Sequence, residues 1–133
     1  MFLLLAAAIL PSCSAPADSV CKPGYGSPML VFDLLFGRAV AGRADVSDRE
    51  WRVFLDDTVT LNLPNGYTVH EGYGAWMSPV SRKTLREQSY LIRVALPDVP
   101  ESLAAVSRIR TQYQERFRQE QVGMIVTHAC GTF

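Results

Sequence analysis

Few side chains in this sequence could do more than pack. It has two histidines, His70 and His128, and three cysteines, Cys13, Cys21 and Cys130. Imidazole is the side chain that ordinarily titrates near neutral pH, so it is the natural proton carrier. His70 stands in the run Tyr67-Thr68-Val69-His70-Glu71-Gly72-Tyr73-Gly74-Ala75-Trp76. If that run is extended, His70, Gly72, Gly74 and Trp76 share one face and Glu71 lies on the other. Glycines on one face of a strand leave a trough that a ligand or another backbone can approach. Trp76 beside the trough could stack on such a ligand. Arg82 and Glu87, with Lys83 and Arg86, open the next strand and could ring the Trp76 end, which would favour an acidic ligand. The candidate ligand-binding residues are therefore His70, Trp76, Arg82 and Glu87. The plain alternative is a bulged strand with a packed Trp, a surface His and charges that keep an edge from aggregating.

No catalytic residue can be assigned. The sequence holds no G-x-S-x-G, H-E-x-x-H, P-loop or paired-carboxylate signature. Gly24-x-Gly26 lacks a preceding strand and a following Lys, so it reads as a loop and not a phosphate cradle. The cysteine spacing contains no C-x-x-C and places no His near Cys21, so neither a metal site nor any cofactor is expected. Cys130 could act as a nucleophile only as a free thiolate near a base. Pairing with Cys21 competes directly with that role.

The compartment decides the pairing. Phe2 to Leu10 is an apolar segment too short to span a bilayer, and it reads as an export signal, although no Lys or Arg precedes it. Two processing routes stay open. Ala15-Pro16-Ala17 offers cleavage before Asp18. Leu10-Pro11-Ser12-Cys13 resembles a bacterial lipobox with Cys13 lipidated, Pro11 being the departure from that pattern. Either route leaves Cys21 and Cys130 in an oxidising compartment, where a pair bonds. The domain division expected is 1–17 export signal, 18–28 irregular leader and 29–133 a single α+β domain. The protein would be periplasmic, lipid-anchored or secreted, touching a membrane only through the lipid.

The 133 residues suit one domain, and 48% hydrophobic content excludes a wholly disordered chain. Formal net charge is zero, so no broad electrostatic footprint for nucleic acid exists. Asp45, Asp48, Glu50, Asp56 and Asp57 cluster in the first half of the domain, and Arg108, Arg110, Arg116 and Arg118 in the second. These read as two solvated helix faces.

The elements that would position His70 and Trp76 follow from periodicity. Met29 to Arg38 is a strand apolar on both faces, as a central strand must be. Ser47-Asp48-Arg49-Glu50 is a capping box opening a helix whose stripe is Trp51, Phe54, Leu55 and Thr58. That helix should end near Thr60, before the Pro64-Asn65-Gly66 turn. The second strand runs to Trp76 and the third from Thr84 to Leu96. Pro100 opens a helix to about Gln119, striped by Leu103, Val106, Ile109, Tyr113 and Phe117. Val122 to Phe133 is the last strand. The order β-α-β-β-α-β is ferredoxin-like: a four-stranded antiparallel sheet with both helices on one face and strand one between strands three and four.

Trp51 to Val69, Gly72 to Trp76, Arg116 to Val122, Cys130 and Phe133 together resemble a small bacterial family of unknown function. Its members are short exported proteins or lipoproteins. The likeness spans roughly Leu35 to Phe133 and implies export and one domain. It supplies no catalytic residue.

One consequence concerns the sheet face away from the helices. Met29, Val31, Leu35, Leu91 and Ala95 make it too apolar to face water, and Asp33 and Arg93 are placed to pair on it. A homodimer through this face would cover it. The rival cover is the leader, Asp18 to Pro28. The function these readings support is a non-catalytic binding or interaction module of the cell envelope, with an unidentified envelope ligand or protein as partner. The alternative is a small enzyme on a dimeric ferredoxin-like scaffold with a pocket near His70 and Trp76.

Overall fold

The computed structural model describes residues 21–77 and 81–133. The expected export segment and Cys13 lie outside the described residues. Strand β1 is Ser27–Gly37. Helix α1 (48–62) opens as an α-helix at Asp48–Phe54, widens into a π turn at Leu55–Val59 and closes at Thr60–Asn62. Strand β2 is Thr68–Met77, β3 is Thr84–Pro97, helix α2 is Pro100–Phe117 and β4 is Gly123–Gly131. The strands form one antiparallel sheet in the order β2-β3-β1-β4, and the fold is the ferredoxin-like α+β arrangement expected.

The capping box forms in full: the Ser47 hydroxyl accepts from the Glu50 amide, and the Glu50 carboxylate accepts from the Ser47 amide. Satisfying two end amides fixes where α1 begins. The π turn is not visible in the 3.6-residue pattern. It adds a residue to one turn, so that Phe54 and Val59, five apart, are both fully buried, with Thr58 beside them.

Both helices pack on the β1 and β3 face that carries Phe32, Leu34, Phe36, Tyr90, Ile92 and Val94. Aromatic rings fill the layer between. Trp51 stacks flat on Tyr90 with centroids 4.2 Å apart, and Tyr113 meets Phe36 edge-on at 4.8 Å. The Tyr113 hydroxyl donates to the Gly37 carbonyl, which satisfies a polar group in this apolar layer. On α2 the buried stripe is Ser102, Val106, Ile109, Tyr113 and Phe117, with Ala105. Leu103 is not part of it and stays 47% exposed. Ser102 takes that place because its hydroxyl donates to the Pro97 carbonyl and ties the helix start to the end of β3. Arg118, at φ 51, caps the helix, which ends at Phe117, two residues before the Gln119 that the sequence pattern suggests.

The two acidic and basic clusters do more than solvate helices. Arg116 reaches across to Asp57 at 3.0 Å, and Arg108 donates to Asn62, so α2 is clasped to the end of α1.

Cys21 and Cys130 are bonded, with Cα atoms 5.6 Å apart and a sequence separation of 109. Cys130 lies opposite Pro28, on the same side of β1 as Leu30 and Phe32. The bond therefore pins Cys21 to the helix side of the sheet. A leader held there does not lie across the open face, which corrects that expectation for the residues from Cys21 onward. The leader also ends sooner than expected, at Gly26, whose φ of 92 and contact with the Gly131 carbonyl admit no side chain. Closing so long a loop stabilises the fold by about 4–5 kcal/mol in the chain-entropy model. Replacing both cysteines (Cys21→Ser with Cys130→Ser) should lower the thermal midpoint by about 15 °C or more. Calorimetry of the oxidised protein and the variant checks this; equal midpoints would show that the bond is not formed.

Candidate functional site

The register places the candidate residues. On β2, Thr68, His70, Gly72, Gly74 and Trp76 face away from the helices, opposite Arg93, Leu91, Ser89, Glu87 and Leu85 of β3. On β1 the same face carries Met29, Val31, Asp33, Leu35 and Gly37, and on β4 Gly123, Ile125, Thr127 and Ala129. His70, Trp76 and Glu87 thus share the open face. Arg82 sits in the connection between β2 and β3 with φ 57. Arg86 does not ring the trough: it lies opposite Ala75, on the other side of the sheet. His128 is on the helix side of β4, where Nδ1 comes within 3.8 Å of Asp98, so the two histidines do not meet.

The glycine trough exists but is partly filled. A methyl group on Gly72 would come within 2.8 Å of the Ser89 hydroxyl, and one on Gly37 within 3.3 Å of the Glu87 carboxylate. The Ser89 hydroxyl therefore lies across Gly72 of the trough, while the Glu87 carboxylate leans the other way, over Gly37 of β1. Gly74 has the freest approach.

Next to His70 lies the strongest polar contact of the face. Arg93 grips Asp33 in a two-pronged contact, Nε to Oδ1 and Nη2 to Oδ2, both at 2.7 Å. The pair expected from strand parity is thus present, two register positions along from Leu91 and Leu35 and next to them on this face. The Arg93 hydrogen bond holds the Asp33 carboxyl below its ordinary 3.8; burial opposes this, while the Arg93 and His70 charges add to it. The Ser47 amide and hydroxyl likewise hold Glu50 down, and Arg116 holds Asp57 down.

Around the face run two apolar stretches, the broad one divided by the Asp33–Arg93 pair. Leu91, Leu35, Val31, Ala95, Met29 and Ile125 make the broad one, with Leu35 39% and Ile125 56% exposed. Trp76, 50% exposed, and Leu85, 42% exposed, make the second. They sit on a two-stranded arm. The last β1–β3 pair is Gly37↔Ser89, whereas β2 and β3 stay paired out to Met77↔Thr84.

A second polar cluster, on the helix side, escaped sequence reasoning. Arg38 donates through Nε to the Val46 carbonyl at 2.8 Å and through Nη1 to Gln88 at 3.1 Å. Its Nη2 lies 3.0 Å from Asp48, and its guanidinium covers the Tyr90 ring. The Tyr90 hydroxyl donates to the same carboxylate, and burial, then this hydrogen bond, pushes its phenol pKa up. The signal available was an Arg directly after an apolar strand, which burial obliges to find acceptors. All three guanidinium nitrogens have protein partners, so the group clamps the loop 38–46 against the sheet. It borders a hollow of about 290 Å³ with Glu71, Tyr73 and Gln88. A larger one of about 730 Å³ lies between the 62–67 loop, the end of β3 and the start of α2. A third, about 530 Å³, lies between α1 and α2 beside Arg116. His70 and Trp76 line none of these three. Among the described residues, no cluster of His, Cys, Asp and Glu is arranged to hold a metal ion.

A carboxylate whose folded pKa is depressed stabilises the fold above its unfolded pKa, and that stability is lost as pH falls through the folded value. Asp33, Glu50 and Asp57 all have this sign. The thermal midpoint should therefore fall on acidification below about pH 4.5. Asp33→Asn should start from a lower midpoint at neutral pH and fall less steeply. Parallel curves for the two proteins would show that the Asp33–Arg93 pair contributes nothing.

Comparison with known proteins places the chain. The family model described as Protein of unknown function (DUF3574) matches residues 32–133, and the chain belongs to that family. No curated protein matches. Among solved structures, a phage SAM lyase in complex with S-methyl-5'-thioadenosine is similar at 15% identity and TM-score 0.55, over 77% of this chain and 90% of that one. A phage SAM lyase in its apo state is similar at 15% identity and TM-score 0.53, over 84% of this chain and 95% of that one. A B. subtilis GlnK-ATP complex follows at 12% identity and TM-score 0.47, over 79% and 84%. The two lyase likenesses show the fold alone.

Proposed function

We propose that this member of the DUF3574 family is an exported, non-catalytic interaction module of the cell envelope that works through the open face of its sheet. The observation that carries the reading is that face. A sheet normally turns polar residues to water on its uncovered side. Here the uncovered side presents Leu35, Leu91, Ile125, Leu85 and Trp76, and its central charges, Asp33 and Arg93, are already paired with each other. Large exposed apolar patches mark binding surfaces. The runs that carry the family likeness divide accordingly. Trp51, Phe54, Phe117 and Val122 are core residues, whereas Trp76 stands half exposed on the face.

Export is supported by the Cys21–Cys130 bond, since such bonds persist in oxidising compartments. Among the described residues, no helix is long and apolar enough to cross a membrane. On this reading His70, Trp76, Arg82 and Glu87 form the polar and aromatic end of the binding surface. The mature chain begins at Cys13, carrying lipid, or at Asp18. The intact mass of protein purified from its own cell envelope should match one of these two starts, less the two thiol hydrogens. A chain beginning at Met1 with both thiols free, recovered from cytoplasm, would overturn the export reading.

A further inference from the structure

We infer that the occupant of the open face is a second copy of this chain, packed sheet to sheet about a two-fold axis. The inference rests on the reading of that face as the working surface and names its partner. Four strands at about 4.8 Å spacing, with about ten residues at 3.3 Å each, give a face of roughly 600 Å² per copy. The pleat and the β2–β3 arm enlarge it toward the ~800 Å² per partner that a stable complex buries. Beyond Ser89 and Glu87 the arm carries the second exposed pair, Leu85 and Trp76, on the same face as Leu91 and Leu35, so closure over a second copy would cover both exposed stretches together.

The charges of the face permit self-association. Asp33 and Arg93 satisfy each other within one copy, so closing the face strands no unpaired charge at its centre. Among the described residues of the face there is no Lys, the residue that most often keeps exposed sheets apart. His70 and Glu87 lie toward the β2 side and the arm, where a polar rim belongs. The chain's own leader is a poor cover. Cys21 is tied to the helix side through Cys130, and a chain starting at Asp18 has three residues before it, one starting at Cys13 eight. Three residues reach about 10 Å and eight about 28 Å, both short of a face about 33 Å long.

The test places a photoreactive benzoylphenylalanine at Leu91, and separately at the exposed α2 residue Glu115 as control, in the full chain expressed in its own cells. Irradiation of the intact envelope should give an adduct of twice the chain mass from position 91, with both peptides from this chain, and none from position 115. An adduct between position 91 and residues before Cys21 of the same chain would show that the leader covers the face. An adduct with a different protein would overturn the dimer while leaving the interaction reading standing. No adduct from position 91 would overturn both. Light scattering on the unsubstituted mature protein guards against a misfolded variant: a dimer at micromolar concentration is expected, and a monomer overturns the inference.

Discussion

Everything in this fold depends on a central strand that is apolar on both sides. Phe32, Leu34 and Phe36 of β1 are fully buried under the helices, each contributing about 1.5–3 kcal/mol of transfer free energy. That burial obliges α1 and α2 to occupy one side of the sheet, and it puts β1 in the middle, between β3 and β4. Met29, Val31 and Leu35 on the reverse side are then left without a layer of their own. The same strand that organises the core thereby creates the surface to which function is attributed.

The disulfide works within this constraint. It joins the lead-in to β1 with the end of its neighbour β4, across a sequence separation of 109. Its position on the helix side leaves the open face clear. The aromatic layer supplies rigidity at the opposite end of β1, where Trp51 stacks on Tyr90 and Tyr113 bonds to Gly37. Arg38 then turns the chain out of the sheet by holding the Val46 carbonyl and Asp48. Each of these contacts shapes the face only indirectly, by keeping the sheet behind it fixed.

What was legible in the sequence was whatever has a short period or a local partner. Ser47 and Glu50 announced the start of α1 because their bonds are three residues apart. Strand alternation placed Asp33 beside Arg93 and His70 with Trp76, because side-chain direction follows from parity alone. Features set by tertiary contact were not legible. The π turn at Leu55–Val59 answers to what Phe54 and Val59 must bury, not to helical propensity. Leu103 has the right type for the α2 stripe but loses its place to Ser102, whose hydroxyl has a carbonyl to reach. Arg86 does not join Glu87 on the open face because one residue along a strand reverses the side. A likeness at 15% identity shows the fold alone, so the scaffold does not decide the chemistry.

The central claim is that the apolar side of β1 and its neighbours is covered in the working protein. Hydroxyl-radical footprinting over a dilution series of the mature protein addresses it directly. The account predicts that Leu35, Ile125 and Trp76 are shielded at high concentration and become labelled on dilution. Tyr25 and Leu61, exposed elsewhere on the same chain, should label equally throughout. Labelling of Leu35, Ile125 and Trp76 that is complete and independent of concentration would contradict it.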